Sequence, residues 1–291
     1  MEDNHRRVTD LEGAPHGASA TWGRKRSGRT RQVKILSGQE LAGFIKERQA
    51  HEVRTMTKKP TLLIIRDSDN PVIQKYVNLK IKYGEDIGIR VIDFRARDAK
   101  AIQTKINEAN TDPSISGIII QLPLTDKTKT EELTALIAPA KDVDGLGPHA
   151  KFDSATATAI NWLLAGYDIK LDQKKIAIVG RGKLVGAPLA HMFQNSGYDV
   201  TVFHRGDDLT NLKQYDIIIS ATGVPGLISD DMVSPGACLV DAGTASEKGR
   251  IIGDLSDALY ERTNLSAITP QKGGVGPLTI ACLFEHVIQV R

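Results

Sequence analysis

Hydrophobic positions in the N-terminal half come in short runs typical of buried strands, separated by segments with helical spacing. The strand pattern covers residues 61–65, 89–94 and 117–121, and helical spacing lies between them at 72–87 and 99–109. Strands that alternate with helices predict a parallel α/β architecture. A first helix is expected to start at Ser37, because Ser37 and Glu40 have the spacing of a capping box.

The same alternation resumes in the C-terminal half. A further helix is predicted near 130–138, the polar loop 141–148 then interrupts the pattern, and a helix at about 156–165 follows. The second series of strands is predicted at 175–179, 199–203, 216–220, 238–241 and about 267–269, and a last helix at about 278–288. We therefore predict two α/β domains with a cleft between them.

Composition and charge narrow the class of protein. The chain has 291 residues with 41% hydrophobic and 25% charged positions, the balance of a folded soluble protein. Residues 1–34 carry eight Lys or Arg against four acids, a net charge of +4, while the rest of the chain has −1. Because this segment has few large apolar residues, it is predicted to be a disordered tail. The rest is near neutral, so we expect no nucleic-acid partner, although the tail's own role stays open. No apolar run is long enough for a membrane span.

A glycine-rich segment follows the strand predicted at 175–179. It begins Gly180-Arg181-Gly182 and continues through Val185 and Gly186 into a predicted helix. Glycines at such a turn let backbone N–H groups approach a pyrophosphate at the helix N-terminus. The spacing is one residue longer than the usual dinucleotide fingerprint, but its place in a βαβ unit favours a Rossmann-type domain.

The end of the next strand predicts which dinucleotide binds. NAD enzymes commonly place a carboxylate there for the ribose hydroxyls, whereas this chain has His204 and Arg205. Arg205 and Arg181 are suited to hold a 2′-phosphate through charge-assisted hydrogen bonds. We therefore predict NADP as the cofactor, with a solvated surface arginine as the alternative for Arg205.

The first half offers a smaller set of candidate chemical groups. Tyr76 and Lys80 are four residues apart and share one helix face. Gln121 ends a predicted buried strand, at the edge where α/β sheets bind ligands. Asp142 and Asp144 are expected to point to the same side of the chain, with an Asx turn as the alternative. No histidine or cysteine spacing indicates a metal site.

These segments together resemble the bifunctional methylenetetrahydrofolate dehydrogenase/methenyltetrahydrofolate cyclohydrolase family. The resemblance covers about residues 35–291 and rests on the order of its motifs, which are the Tyr76–Lys80 pair, Gln121-Leu122-Pro123-Leu124, Lys141-Asp142-Val143-Asp144-Gly145, the Gly180–Pro188 loop and Gly273-Gly274-Val275-Gly276-Pro277-x-Thr279. It implies NADP-dependent oxidation of 5,10-methylenetetrahydrofolate and hydrolysis of the methenyl product to 10-formyltetrahydrofolate, by a cytoplasmic homodimer.

The resemblance also assigns roles to residues. Lys80 would orient or activate water in the hydrolysis, Gln121 would hold Lys80, Tyr76 would line the folate, and Asp144 would bind the pterin. The residues expected at the cofactor are Gly180, Arg181, Gly182, Val185, Gly186, His204, Arg205, Ala221, Thr222 and Gly223. Those expected to close over substrate are Gly274, Val275, Gly276, Pro277 and Thr279.

The resemblance further implies the domain limits. It predicts a folate domain at 35–155, completed by the last helix at 278–291, and a Rossmann domain at 156–277.

Some positions depart from the family pattern. Ser154-Ala155-Thr156-Ala157 stands where the family has Pro-Cys-Thr-Pro, and Gln271-Lys272 replaces an apolar pair before Gly273. Pro71-Val72-Ile73 lacks the serine of a Pro-Ala-Ser run, and Arg205 replaces another serine. Two alternatives therefore stay open, a dehydrogenase with weak or lost cyclohydrolase activity and a non-catalytic NADP-binding regulator.

Overall fold

The computed structural model describes residues 32–243, 245–247 and 250–290. The predicted disorder of the tail therefore lies outside the described residues up to residue 31. Lys34 is an exception to that prediction, because it lies in a short strand, β1 (Lys34–Ile35), that pairs with residues 267–268.

The first lobe is a small parallel sheet with helices packed on it. Its elements are α1 (Gly38–Thr55), β2 (Thr61–Arg66), α2 (Pro71–Ile87), β3 (Arg90–Arg95), α3 (Ala99–Thr111), β4 (Gly117–Ile120) and α4 (Thr130–Thr134). The strand order is β3-β2-β4, and both pairings are parallel. Ser37 caps α1 as predicted, because its hydroxyl accepts the Glu40 N–H at 3.2 Å.

The helix predicted near 130–138 is shorter than expected, and a neighbouring side chain explains why. After Thr134 the chain leaves the α-helix, and Asn110 of α3 binds the segment that follows. The Asn110 amide donates to the Leu136 carbonyl and accepts the Ala138 N–H, both at 2.8 Å. Pro139 also disfavours helical backbone at the preceding residue.

The second lobe is a six-stranded parallel sheet reached through the linking helix α5. Its elements are α5 (Ala155–Gly166), β5 (Lys175–Val179), α6 (Gly186–Asn195), β6 (Asp199–Phe203), β7 (Ile217–Ser220), β8 (Cys238–Asp241), β9 (Ala245–Glu247), β10 (Arg250–Ile252), α7 (Asp257–Tyr260), β11 (Ala267–Ile268) and α8 (Val275–Gln289). The strand order is β1-β11-β8-β7-β5-β6, and β9 and β10 form a separate antiparallel hairpin that the sequence did not predict.

The helix α8 is the centre of the packing between the lobes. It lies against α1 and α5, and residues 281–288 are all buried. It begins at Val275, three residues earlier than predicted. Pro277 does not prevent this early start, because it lies in the first turn, where its missing N–H costs no helix hydrogen bond. One hydrophobic cluster joins α1, α5 and α8 to both sheets.

Candidate functional site

The structure brings Lys80 and Gln121 into direct contact. Lys80 lies in the second half of α2, and Gln121 directly follows β4 at the carboxyl edge of the first sheet. The Lys80 Nζ donates to the Gln121 Oε1 at 2.7 Å. The Gln121 Nε2 donates to the Leu122 carbonyl at 3.1 Å, and its backbone N–H donates to the Ile65 carbonyl at 2.8 Å. Gln121 is therefore fixed both through its side-chain nitrogen and through its backbone, and this fixes the position of the oxygen that accepts from Lys80.

Burial changes the protonation of the charged groups around this contact. It lowers the pKa of Lys80, because a buried ammonium loses its hydration, while the negative charge of Asp144 acts in the opposite direction. Burial likewise raises the pKa of Asp144 to about 6, against the attraction of Lys80 and in the same direction as the repulsion from Asp142. The site thus holds a lysine that loses its proton more readily than an exposed one and a carboxyl with a pKa of about 6.

The two neighbouring aspartates have different surroundings. Asp142 is only 1% exposed, and its carboxylate accepts the N–H groups of Gly145 at 3.0 Å and Gly147 at 2.6 Å. The turn expected as the alternative interpretation therefore applies to Asp142. Asp144 is half-buried, and its carboxyl is the one that interacts electrostatically with Lys80.

Tyr76 lies one helical turn before Lys80 and is half-buried, as is Lys80. Because residues four apart lie on the same face of a helix, Tyr76 and Lys80 share one face of α2. The contact of Tyr76 with folate stays a prediction.

The second lobe has a glycine-lined turn at the carboxyl end of β5. Gly180 has a φ of +103°, and a Cβ on Gly186 would lie 1.9 Å from the Gly180 carbonyl oxygen. Both positions therefore require glycine for the turn to close. A Cβ on Gly182 would meet nothing within 4 Å, so this side of the turn is open. Val185 precedes α6, whose N-terminus opens onto the same turn. The turn can accommodate the pyrophosphate of a dinucleotide.

Two arginines border this turn. The strands β5 and β6 are neighbours in register, with Val179 opposite Phe203, and the Gly180 N–H donates to the Phe203 carbonyl at 2.9 Å. Arg181 and Arg205, which follow these strand ends, are both exposed. His204 directly precedes Arg205, and its backbone N–H donates to the Asp207 carboxylate at 2.6 Å. This arrangement fits the predicted contacts with a 2′-phosphate.

The segment Ala221-Thr222-Gly223 lies at the adjacent end of β7, where the sequence placed it. The Ala221 N–H donates to the Val179 carbonyl at 2.8 Å, which joins this segment to β5. Sequence reasoning missed the residue that supports it. Asp254 is fully buried, and its carboxylate accepts the Thr222 N–H and the Ser220 hydroxyl, both at 2.7 Å. A lone aspartate after a glycine carries no signal that would have revealed this support.

The predicted substrate-closing residues 274–279 form the beginning of α8. Gly274 precedes the helix, Val275 is buried, Gly276 is exposed, and Pro277 and Thr279 are half-buried. The turn just before them packs on α1, because the Gln39 N–H donates to the Gly273 carbonyl at 2.9 Å. Their approach to folate stays a prediction.

Two further contacts join the Gly180–Gly186 turn to the first lobe, and neither was predicted. The Ser154 hydroxyl donates to the Leu184 carbonyl at 2.8 Å while it also caps α5. The adjacent Lys183 forms an ion pair with Glu131 of α4. A cavity of about 330 Å³ lies between these elements, with Leu122 and Leu146 in its wall. The serine that replaces the family's proline thus supports the lobe junction.

The helices that the structure describes include none that is both long and apolar enough to cross a bilayer. Within residues 32–243, 245–247 and 250–290, no group of three or more His, Cys, Asp or Glu side chains is arranged to hold a metal ion.

Comparison with known proteins agrees with this geometry. The family model for the tetrahydrofolate dehydrogenase/cyclohydrolase catalytic domain matches residues 36–144, and the model for the NAD(P)-binding domain of the same family matches residues 154–291. The bifunctional protein FolD of Halothermothrix orenii is 34% identical over 277 residues, which are 89% of this chain and 98% of that protein.

Two solved structures are similar over almost the whole length. The bifunctional FolD dehydrogenase/cyclohydrolase of Campylobacter jejuni has 34% identity and a TM-score of 0.83, and the alignment covers 89% of this chain and 98% of that one. The Trypanosoma brucei enzyme, solved with NADP and an inhibitor, has 27% identity and a TM-score of 0.81, with 88% and 96% covered. This chain therefore belongs to the tetrahydrofolate dehydrogenase/cyclohydrolase family.

Proposed function

We propose that this protein oxidises 5,10-methylenetetrahydrofolate with NADP+ and hydrolyses the resulting 5,10-methenyl cation to 10-formyltetrahydrofolate. The observation that carries the proposal is the half-buried contact between the Lys80 Nζ and the Gln121 Oε1 at 2.7 Å, together with the electrostatic interaction of Lys80 with the carboxyl of Asp144. Membership of the family supports both activities.

The dehydrogenase step depends on positioning. Bound NADP+ would supply the acceptor for the hydride of the substrate's methylene carbon. The Gly180–Gly186 turn would hold its pyrophosphate, and Arg181 and Arg205 would hold its 2′-phosphate. Asp254 fixes the Thr222 backbone that borders the same pocket. Hydride transfer also requires the nicotinamide and folate rings to lie face to face, and Tyr76 orients the folate ring.

The cyclohydrolase step uses the lowered basicity of Lys80. Its amine takes a proton from the water that attacks the cationic methenyl carbon, and a cationic substrate lowers the pKa of the amine further. Gln121 holds the amine on the side of the water, and Asp144 binds polar atoms of the pterin. The cationic substrate would repel an ammonium, so it binds best when Lys80 is neutral. The neutral amine is also the form that can accept a proton.

The domain limits, oligomeric state and location belong to the same proposal. We assign the folate domain to 35–155 with 278–291, and the NADP domain to 156–277. The packing of α8 against α1 supports the return of the last helix to the first domain. A homodimer in the cytoplasm is proposed from the resemblance, and light scattering of the purified protein tests the dimer.

The proposal is tested with Lys80→Met and a matched control, Lys75→Met, which removes an exposed lysine from the same helix. NADPH formation from methylenetetrahydrofolate and decay of methenyl absorbance are followed in one assay. We expect Lys80→Met to lose methenyl hydrolysis and to keep NADP binding, with the control unchanged. Normal hydrolysis by Lys80→Met would refute the assigned role.

The wild-type protein distinguishes the alternatives in the same assay. NADPH formation without decay of the methenyl absorbance would indicate a dehydrogenase alone. NADP binding with neither reaction would indicate a regulator.

A further inference from the structure

We propose that His286, near the end of α8, is a positioning residue for the folate site, because it binds the backbone of the residue that precedes Asp144. The inference deepens the proposed function and rests on it for the role of Asp144. It starts from a single contact. The His286 Nδ1 lies 2.9 Å from the Val143 carbonyl oxygen, although 143 positions separate the two residues in the chain.

The contact fixes the protonation of the histidine ring. A carbonyl oxygen can only accept a hydrogen bond, so the Nδ1 must carry the proton and donate. His286 is 6% exposed, and its ring stacks on Phe152 at a centroid distance of 4.7 Å and an interplanar angle of 19°. Burial also lowers the pKa of His286, which favours the neutral ring. The imidazole ring is thus held by its stacking on Phe152 and by the hydrogen bond from its Nδ1.

The acceptor lies in the segment that carries Asp144. Val143 is fully buried and precedes Asp144, so a shift of its carbonyl rotates the peptide that leads to Asp144. Other bonds also hold this segment, among them those from the Gly145 and Gly147 N–H groups to the Asp142 carboxylate, from the Asp142 N–H to the Ala138 carbonyl and from the Ala155 N–H to the Asp144 carbonyl. Of these contacts, the bond from His286 is the one made by the C-terminal helix.

The consequence is a link between the two ends of α8. The Gly274–Thr279 segment proposed to close over substrate lies at its beginning, and about three turns after Val275 the side chain of His286 holds the loop that carries Asp144. A rigid helix keeps these two parts of the site at a constant separation. Small shifts of α8 are therefore transmitted to Asp144 as well as to the closing segment.

The test compares three substitutions at one position. In His286→Asn the amide nitrogen is attached to Cγ, as Nδ1 is in histidine, so the donor is retained. His286→Gln moves the amide one bond further from the backbone, and His286→Leu removes the donor. Gln289→Leu serves as the control, because it changes an exposed side chain on the same helix.

We expect His286→Leu and His286→Gln to raise the KM for methylenetetrahydrofolate by about five- to tenfold, which is what loss of one hydrogen bond of ordinary strength corresponds to. His286→Asn should stay within about twofold of the wild type by the same estimate. NADP affinity, measured by NADPH fluorescence, should not change in any variant. Calorimetric binding of 5-formyltetrahydrofolate, which does not turn over, should weaken in the same order.

Equal behaviour of the Asn and Gln variants would overturn the proposal. So would a loss confined to the melting temperature with folate KM unchanged. If His286→Leu does not fold, the comparison of Asn with Gln still decides, since both are polar. If the wild type binds the folate but has neither activity, the proposed function fails while the binding series still tests His286.

Discussion

Gln121 offers the sharpest test of how the site controls its lysine, because one position can be changed in two opposite directions. Gln121→Leu removes the acceptor that lies 2.7 Å from the Lys80 Nζ, and this lowers the pKa of Lys80 further. Gln121→Glu puts a negative charge at the same place and raises that pKa. Both changes are made at the end of β4 in the first lobe, away from the Gly180 turn.

The size of the effect follows from the kind of bond that is lost. The amine gains a positive charge as it takes the proton from water, so the bond to Gln121 then comes from a charged donor. Such a bond contributes about 1.5–3 kcal/mol, which converts to about ten- to 150-fold in rate at 1.36 kcal/mol per factor of ten. We expect cyclohydrolase kcat/KM of Gln121→Leu to fall by that factor. Hydride transfer should fall less, because it needs ring alignment rather than a base.

The assay is the pH dependence of methenyl hydrolysis, corrected for the spontaneous reaction. The limb that reports the proton leaving Lys80 should move to lower pH in Gln121→Leu and to higher pH in Gln121→Glu. Gln194→Leu, which changes an exposed glutamine of α6, is the control. Shifts of the same sign in both variants, or no shift, would refute the reasoning.

Three more outcomes are expected. Because Asp144 has a pKa of about 6, its negative charge is lost as the pH falls through 6; folate affinity should decline there, and in Asp144→Asn this dependence should disappear from the titration. Arg205→Ser should weaken NADP more than NAD in binding titrations, since only NADP has the 2′-phosphate, and equal weakening would contradict the assignment. Gly186→Ala places a Cβ 1.9 Å from a backbone oxygen and should destabilise the cofactor-free protein by about 1–3 kcal/mol, whereas Gly182→Ala should leave its melting temperature unchanged.

The sequence pattern predicted the elements that carry Lys80 and Gln121 because strong hydrophobic periodicity determined both of them. The contact between their side chains came only from the resemblance to the family, because strand order and helix position do not say which residue of α2 reaches the end of β4. The ends of β5 and β6, which carry Arg181 and Arg205, were predicted from the strand pattern.

The distinction between Asp142 and Asp144 was beyond that reasoning. Alternation alone places both carboxylates on one side, whereas the structure uses Asp142 to hold its own loop and leaves Asp144 beside Lys80. What sets Asp144 apart is its interaction with Lys80, which lies on another element more than 60 positions earlier in the chain, and the sequence pattern does not show this interaction. Likewise, Ser154 looked like a loss of the family motif, and only the fold shows the carbonyl of Leu184 that it contacts.

The interleaving of the two lobes has a consequence for how the polypeptide acquires its shape during synthesis. The strand that precedes α1 joins the sheet of the second lobe, while α8 returns to α1. Gln49, fully buried in α1, donates to the Ala281 carbonyl and the Glu285 carboxylate. Until α8 has been synthesised, the Gln49 amide nitrogen lacks both of these acceptors, and only its oxygen has a partner, the Tyr83 hydroxyl. The first half of the chain therefore cannot complete its packing until nearly all of the second half has been synthesised.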